Sequence, residues 1–138
     1  IGKAITHKKP GEVTLIACGV MVDRALRVSK HFESLGVDVG VLNTHTIKPF
    51  DREAVLKAIK LSKVVMTLEE HTEIGGLGSI VAEIIAEDCF DHRVVFKKIA
   101  LPDKFPDKYG SQNLQIEYFK IDVSDIKKEL EVLLSQVN

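Results

Sequence analysis

The sequence predicts an α/β fold, with a mainly parallel sheet sandwiched between helices. Three observations lead there. Four compact runs, residues 13–18, 37–42, 63–68 and 94–100, are short and rich in apolar residues, as strands covered on both faces require. Longer segments with helical periodicity separate them. Glycine, proline or aspartate punctuates most junctions. Alternation of this kind builds βαβ units, and right-handed crossovers put helices on both faces of the sheet.

The elements follow in order. Residues 3–6 read as a weak strand before the turn at Pro10-Gly11. The link to residues 13–18 (VTLIAC) is too short for a parallel crossover, so 3–6 is an antiparallel edge strand or unpaired. Gly19 allows a tight turn into a helix over 22–35. On it Val22, Ala25, Leu26, Ser29, Phe32 and Leu35 share one side, and Gly36 is its stop. A buried strand over 37–42 leads to the loop 43–50, and Asp51 caps a helix running to 61 with Val55, Leu56 and Ile59 facing inward. A third strand over 63–68 is followed by a polar, glycine-ended loop, 69–76. Leu77, Ile80, Val81, Ile84 and Ile85 then mark an amphipathic helix. A fourth core strand spans 94–100. The stretch 101–120 is loop-rich, with a short helix near 112–118. A last helix over 124–136, capped by Asp122 or Ser124, turns Ile126, Leu130, Leu133, Leu134 and Val137 to one side.

At 138 residues, 45% hydrophobic and 28% charged, the composition is that of one folded domain over 1–138. A formal net charge of −1 offers no broad basic field to nucleic acid or acidic lipid; the nearest to basic runs are Lys8-Lys9, Lys97-Lys98 and Lys127-Lys128. No apolar stretch approaches the roughly 18 residues of a membrane span. Cys18 and Cys89 fit no metal or redox spacing. With so few cysteines and no signal-like segment, a reducing, cytoplasmic location is the default. The first residue, Ile1, points to a piece of a longer polypeptide.

The segment Leu68-Glu-Glu-His-Thr-Glu-Ile-Gly-Gly-Leu-Gly-Ser79 is the candidate site. It lies at the carboxyl end of an expected strand, where sites form in open α/β sheets. Gly75, Gly76 and Gly78 permit sharp bends and close approach, and the helix after them presents free N–H groups that favour an anion. Glu70, His71, Gly75, Gly76, Gly78 and Ser79 are therefore the candidate anion or domain-contact loop. The segment lacks both the Walker spacing and the dinucleotide fingerprint, and a glycine turn that lets a helix pack on a sheet is the more economical reading. Glu69, Glu70, His71 and Glu73 have the residue types of acid–base or metal chemistry. Adjacent strand residues such as Glu70 and His71 point to opposite sides, however, so a hydrogen-bonded or contact role is favoured. His45 and Lys48 stand on another loop at the same sheet edge and add a mildly basic rim. Cys18, at a strand-to-helix turn, has no assignable base and reads as a buried thiol. The mixed charges and aromatics of 101–120 suit a contact surface as well as a solvated loop.

Taken together, three motifs carry a resemblance. Val13-Thr-Leu-Ile-Ala-Cys-Gly19, Thr46-Ile-Lys-Pro-Phe-Asp51, and Val65-Met-Thr-Leu-Glu-Glu-His71 followed by Gly75-Gly-Leu-Gly-Ser79 resemble, in order and spacing, the C-terminal domain of transketolases. The likeness spans nearly the whole chain. It weakens after Ala100, where Asp103-Lys-Phe-Pro106 has proline in place of the family's glycine. The resemblance implies a three-layer α/β/α fold with a five-stranded mixed sheet, mostly parallel, with one antiparallel edge strand. It implies a parent transferase that moves a two-carbon ketol unit between sugar phosphates in the pentose phosphate pathway. That enzyme uses thiamine diphosphate and magnesium held by two other domains, commonly across a homodimer. The partners implied are therefore other transketolase domains or a separate subunit. No catalytic, cofactor-binding or metal-ligating residue is carried over to this chain, and the isolated chain is expected to be inactive. The same domain type occurs in 1-deoxyxylulose-5-phosphate synthase, in β subunits of 2-oxo-acid dehydrogenases and in pyruvate:ferredoxin oxidoreductase. A stand-alone module binding an anion or nucleotide at residues 75–79 is the alternative of a different class.

Overall fold

The computed structural model describes residues 1–88 and 90–137, so Cys89, read above as fitting no metal or redox spacing, lies outside the described residues. The chain runs β1 (Ile5–Lys8), β2 (Val13–Ala17), α1 (Met21–Glu33), β3 (Val39–Asn43), α2 (Arg52–Leu61), β4 (Val64–Thr72), α3 (Leu77–Glu87), β5 (Val95–Leu101), α4 (Gln112–Tyr118) and α5 (Val123–Ser135). The five strands form one sheet in the order β1-β3-β2-β4-β5. β1 pairs antiparallel with β3, and every other pairing is parallel.

The strand pleat divides the core into two layers. Val13, Leu15, Ala17, Val41, Met66 and Leu68 face α1 and α5, meeting Met21, Ala25, Val28, Phe32, Ile126, Leu130 and Leu133. Ile16, Leu42 and Val65 face the other way, against Val55, Ala58 and Ile59 of α2 and Leu77, Val81 and Ile84 of α3. This is the three-layer α/β/α arrangement the resemblance implies. Chain order reverses across β2: the connection from β2 moves to β3, whereas the connection from β3 crosses back to β4. The carboxyl ends of β2 and β4 therefore flank the crevice in which sites form in this class of sheet.

Several boundaries differ from the sequence reading. β1 begins at Ile5 rather than residue 3, because the Ala4 N–H donates to the Asp51 carboxylate at 2.9 Å instead of joining the ladder. α1 ends at Glu33, and Leu35 is exposed beyond it. Gly36 (φ +81°) donates to Glu33 O and Val37 to Phe32 O, the paired bonds of a Schellman closure. Asp51 caps α2 as expected, accepting from Ala54 N. Asp122 occupies the N-cap of α5, but its carboxylate turns to Arg24 Nε at 3.1 Å rather than to the helix. The expected fourth core strand is an edge strand, since β5 has a neighbour on one side only and Val95 alone of its residues is buried.

Candidate functional site

The first half of the expected polar loop 69–76 is strand. β4 continues through Thr72, with a register shift between Leu68 and Thr72, and the Glu73 N–H closes onto Leu101 O at 2.8 Å. Side chains therefore alternate along this stretch. Glu69 and His71 share the parity of Val65 and Thr67, on the α3 side. Glu70 shares that of Met66 and Leu68, on the α1/α5 side.

Glu69 is the organising residue, and it is only 1% exposed. Its Oε2 accepts from Leu77 N and its Oε1 from Gly78 N, both at 2.7 Å. The next two N–H groups, of Ser79 and Ile80, donate to Gly76 O. The positive end of the α3 dipole thus meets a carboxylate from the chain itself, and the donors expected to favour an external anion are engaged. Two glycines make room for this. A Cβ on Gly76 would collide with the Glu69 carboxylate and the His71 ring, and one on Gly78 would press on Thr67 Oγ1 and the Lys98 stem. Gly75 has φ +77°, a left-handed conformation, with open space where a side chain would be. Its N–H donates to Ser79 Oγ at 2.9 Å, and Lys98 Nζ holds Glu73 O at 2.8 Å.

The remaining candidates diverge. Glu70 Oε2 accepts from Gln112 Nε2 of α4 at 2.7 Å. His71 is 57% exposed; its Nδ1 lies 2.9 Å from Thr72 O and 4.0 Å from Glu69 Oε2. His45 turns to its neighbour Thr46 Oγ1 at 2.8 Å. Burial, with a smaller contribution from the Glu69 carboxylate, pushes the Cys18 thiol up to about 11, so it is a protonated, weakly nucleophilic group at neutral pH. Sequence reasoning weighed Glu69 for acid–base or metal chemistry but left it out of the candidate anion or domain-contact loop. The available signal was its parity: a carboxylate two residues after Thr67 must point where the next helix begins.

Beyond the α4 side of this strand end lies a cavity of about 760 Å³, lined by Glu70, Thr72, Leu101, Phe105, Tyr109 and Phe119 among others. Its rim is aromatic and projects into solvent, with Phe105 94% and Tyr109 96% exposed. Ile74, on the adjoining loop, is also exposed. No helix among the described residues is long and apolar enough to cross a membrane.

Residues 2–126 match the family model described as "Transketolase, C-terminal domain". The chain belongs to this family. A 6-deoxy-6-sulfo-D-fructose transketolase subunit, SqwH, from Clostridium sp. (strain MSTE9) is 39% identical over 116 residues, covering 80% of this chain and 36% of that protein. The 1-deoxy-D-xylulose-5-phosphate synthase of Pelotomaculum thermopropionicum is 31% identical over 126 residues, covering 91% of this chain and 20% of the synthase. Among solved structures, a split-gene transketolase described as an inactive beta4 tetramer superposes with a TM-score of 0.85 at 30% identity. That match covers 97% of this chain and 43% of the other. A Pichia stipitis transketolase, at 13% identity and a TM-score of 0.67, shares the fold. The chain spans less than half the length of each of these proteins.

The transketolase family implies thiamine diphosphate in the parent enzyme. Among the described residues no three His, Cys, Asp or Glu side chains converge to hold a metal, and the N–H groups that open α3 are taken up by the chain's own atoms, so these residues offer that group no free cradle there.

Proposed function

We propose that this chain is the C-terminal domain of a longer transketolase-type enzyme, and that its role there is to hold the assembly together rather than to do chemistry. The parent reaction in this reading is transfer of a two-carbon ketol unit between sugar phosphates in the pentose phosphate pathway of the cytoplasm. Thiamine diphosphate and magnesium are bound by other domains of a dimeric enzyme. The observation that carries the reading is the aromatic rim at the carboxyl edge. Two almost fully exposed rings, Phe105 and Tyr109, stand on one loop of a domain whose other large apolar side chains are mostly buried. Exposed aromatics in this density are anchors for a partner surface. Glu70, His71, Gly75, Gly76, Gly78 and Ser79 then belong to a domain contact rather than an anion site, because the α3 donors are committed to Glu69 and Gly76. The relatives named as subunits and the tetrameric neighbour support association with other transketolase domains.

The test is made in the intact enzyme and in the isolated chain. Xylulose 5-phosphate with ribose 5-phosphate is turned over by the former and not by the latter. Turnover by the isolated chain overturns the accessory role. Phe105→Ser with Tyr109→Ser weakens assembly of the intact enzyme, read by sedimentation, and lowers activity at low protein concentration. An unchanged assembly constant overturns the contact. A second reading, 1-deoxyxylulose-5-phosphate synthase, has the support of the 31% identical synthase. Condensation of pyruvate with glyceraldehyde 3-phosphate, in place of ketol transfer, selects it.

A further inference from the structure

A different face of the domain carries unspent charge. Arg27, Lys30 and His31 of α1 and its C-cap Ser34 are spaced three, one and three residues apart, which places them on one stripe. Together with Val123 and Lys127 of α5 they line a groove of about 420 Å³. Some cations near this layer have carboxylate partners, Lys8 with Glu33, Arg24 with Asp122 and Lys97 with Glu129, whereas Lys128 of α5 is not among them. Among the described residues Arg27, Lys30 and Lys127 have none within 4 Å. The adjoining hollow adds Arg24, Asn113, Glu117 and Asp122, which leaves more cations than carboxylates across the two. Asp23 and Glu131 lie one helical turn from Arg27 and Lys127 respectively and pair with neither.

The helix dipole does not account for this set. It favours Lys30 and His31, which lie in the last turn of α1. It offers nothing to Arg27, which lies before that turn, or to Lys127, which lies past the first turn of α5. Nor does the overall charge of the chain, which is slightly negative. Concentrating like charges in one groove is unfavourable unless something opposite meets them.

We propose that the groove between α1 and α5 binds an acidic segment of a protein partner. The stripe from Arg27 to Ser34 extends about 10 Å along the helix, longer than one phosphate and suited to carboxylates on successive residues or turns of a peptide. The groove is open, as a protein contact needs. The groove's lining residues are not those of the aromatic rim, so the charge-reversal test reads it separately from the proposed assembly contact.

The test is fluorescence polarisation of the full chain with a fluorescein-labelled octaglutamate peptide. The peptide is expected to bind with an affinity that falls as salt rises. Arg27→Glu with Lys127→Glu is expected to weaken it at least tenfold. The charge-matched pair Lys57→Glu with Lys60→Glu, on α2 of the opposite layer, leaves it within twofold. Arg27, Lys57 and Lys60 are exposed and Lys127 is half-buried in the groove, so circular dichroism checks that each variant keeps its fold. Equal losses in the two pairs, no binding by the parent chain, or preferential binding of a single-stranded oligonucleotide or tripolyphosphate over the peptide each overturn the proposal.

Discussion

Replacing Glu69 by alanine should be among the most damaging single changes in this domain. The carboxylate accepts two hydrogen bonds of 2.7 Å from Leu77 N and Gly78 N, both in buried surroundings. Bonds to a charged group contribute about 1.5–3 kcal/mol each, and a buried N–H left without an acceptor costs about 1–3 kcal/mol. Water entering the vacated space offsets part of that loss. The expected cost is about 3–4 kcal/mol, set against a total stability of about 5–15 kcal/mol for a domain of this kind. It should appear as a fall in melting temperature of about 10–15 °C by circular dichroism and an earlier urea midpoint. Glu69→Gln, which keeps the volume but turns an NH₂ toward one of the two donors, should fall between alanine and the parent. The variant also empties the anion position at the start of α3. Added sulfate should therefore stabilise Glu69→Ala more than it stabilises the parent chain, beyond the general effect of the salt. A loss below 1 kcal/mol, together with equal responses to sulfate, would refute the account of Glu69 as the internal counter-ion of α3.

Gly76→Ala should cost about 1–3 kcal/mol, because its methyl meets the Glu69 carboxylate and the His71 ring; in a Glu69→Ala background the same change should cost less, and additive losses in a double-mutant cycle would contradict that. His92 faces Asp91 Oδ1 at 2.9 Å and Ser62 O at 3.0 Å, both acceptors, so only the imidazolium donates to both, and the Asp91 side chain first and the Ser62 carbonyl second hold its pKa above 6.5. The stability it adds is fully present below pH 6.5 and is lost as pH rises through its raised value, so the gap in urea midpoint between parent and His92→Gln should narrow in alkali; a gap that is flat or widens counts against it. Cys18, raised from 9.0 to about 11, should react with iodoacetamide at neutral pH about a hundredfold more slowly than an ordinary thiol, read peptide by peptide in a mass spectrometer.

The order and type of the elements were legible from periodicity and punctuation, down to the short α4 over residues 112–118. The departures are long-range in origin. Nothing local says that Ala4 will donate to Asp51, 47 residues on, and that bond delays the start of β1. Periodicity likewise did not reveal that β5 lies at an edge, although Lys97 and Lys98 within it are the charged side chains that edge strands carry. At the candidate site the glycines were read for backbone freedom, which is right for Gly75. Gly76 and Gly78 are needed for a different reason, since atoms from β4 and β5 fill the places their side chains would take. That reason depends on how α3 sits against the sheet.

A run such as Glu69-Glu70-His71-Thr72-Glu73 looks like a reactive centre because it crowds titratable groups into five positions. The pleat disperses them. Glu69 goes inward to α3, Glu70 across to Gln112, and Glu73 engages Leu101 and Lys98 through its backbone. Glu70, His71 and Glu73 stay exposed beside the exposed Ile74, with the rings of Phe105 and Tyr109 beyond. A loop that satisfies its own donors and acceptors keeps its shape without a ligand. Such preorganisation lowers the entropy lost on association, as the proposed docking role requires. A site made to capture a phosphate would instead leave the donors of α3 unspent, and here the chain has spent them on Glu69 and Gly76.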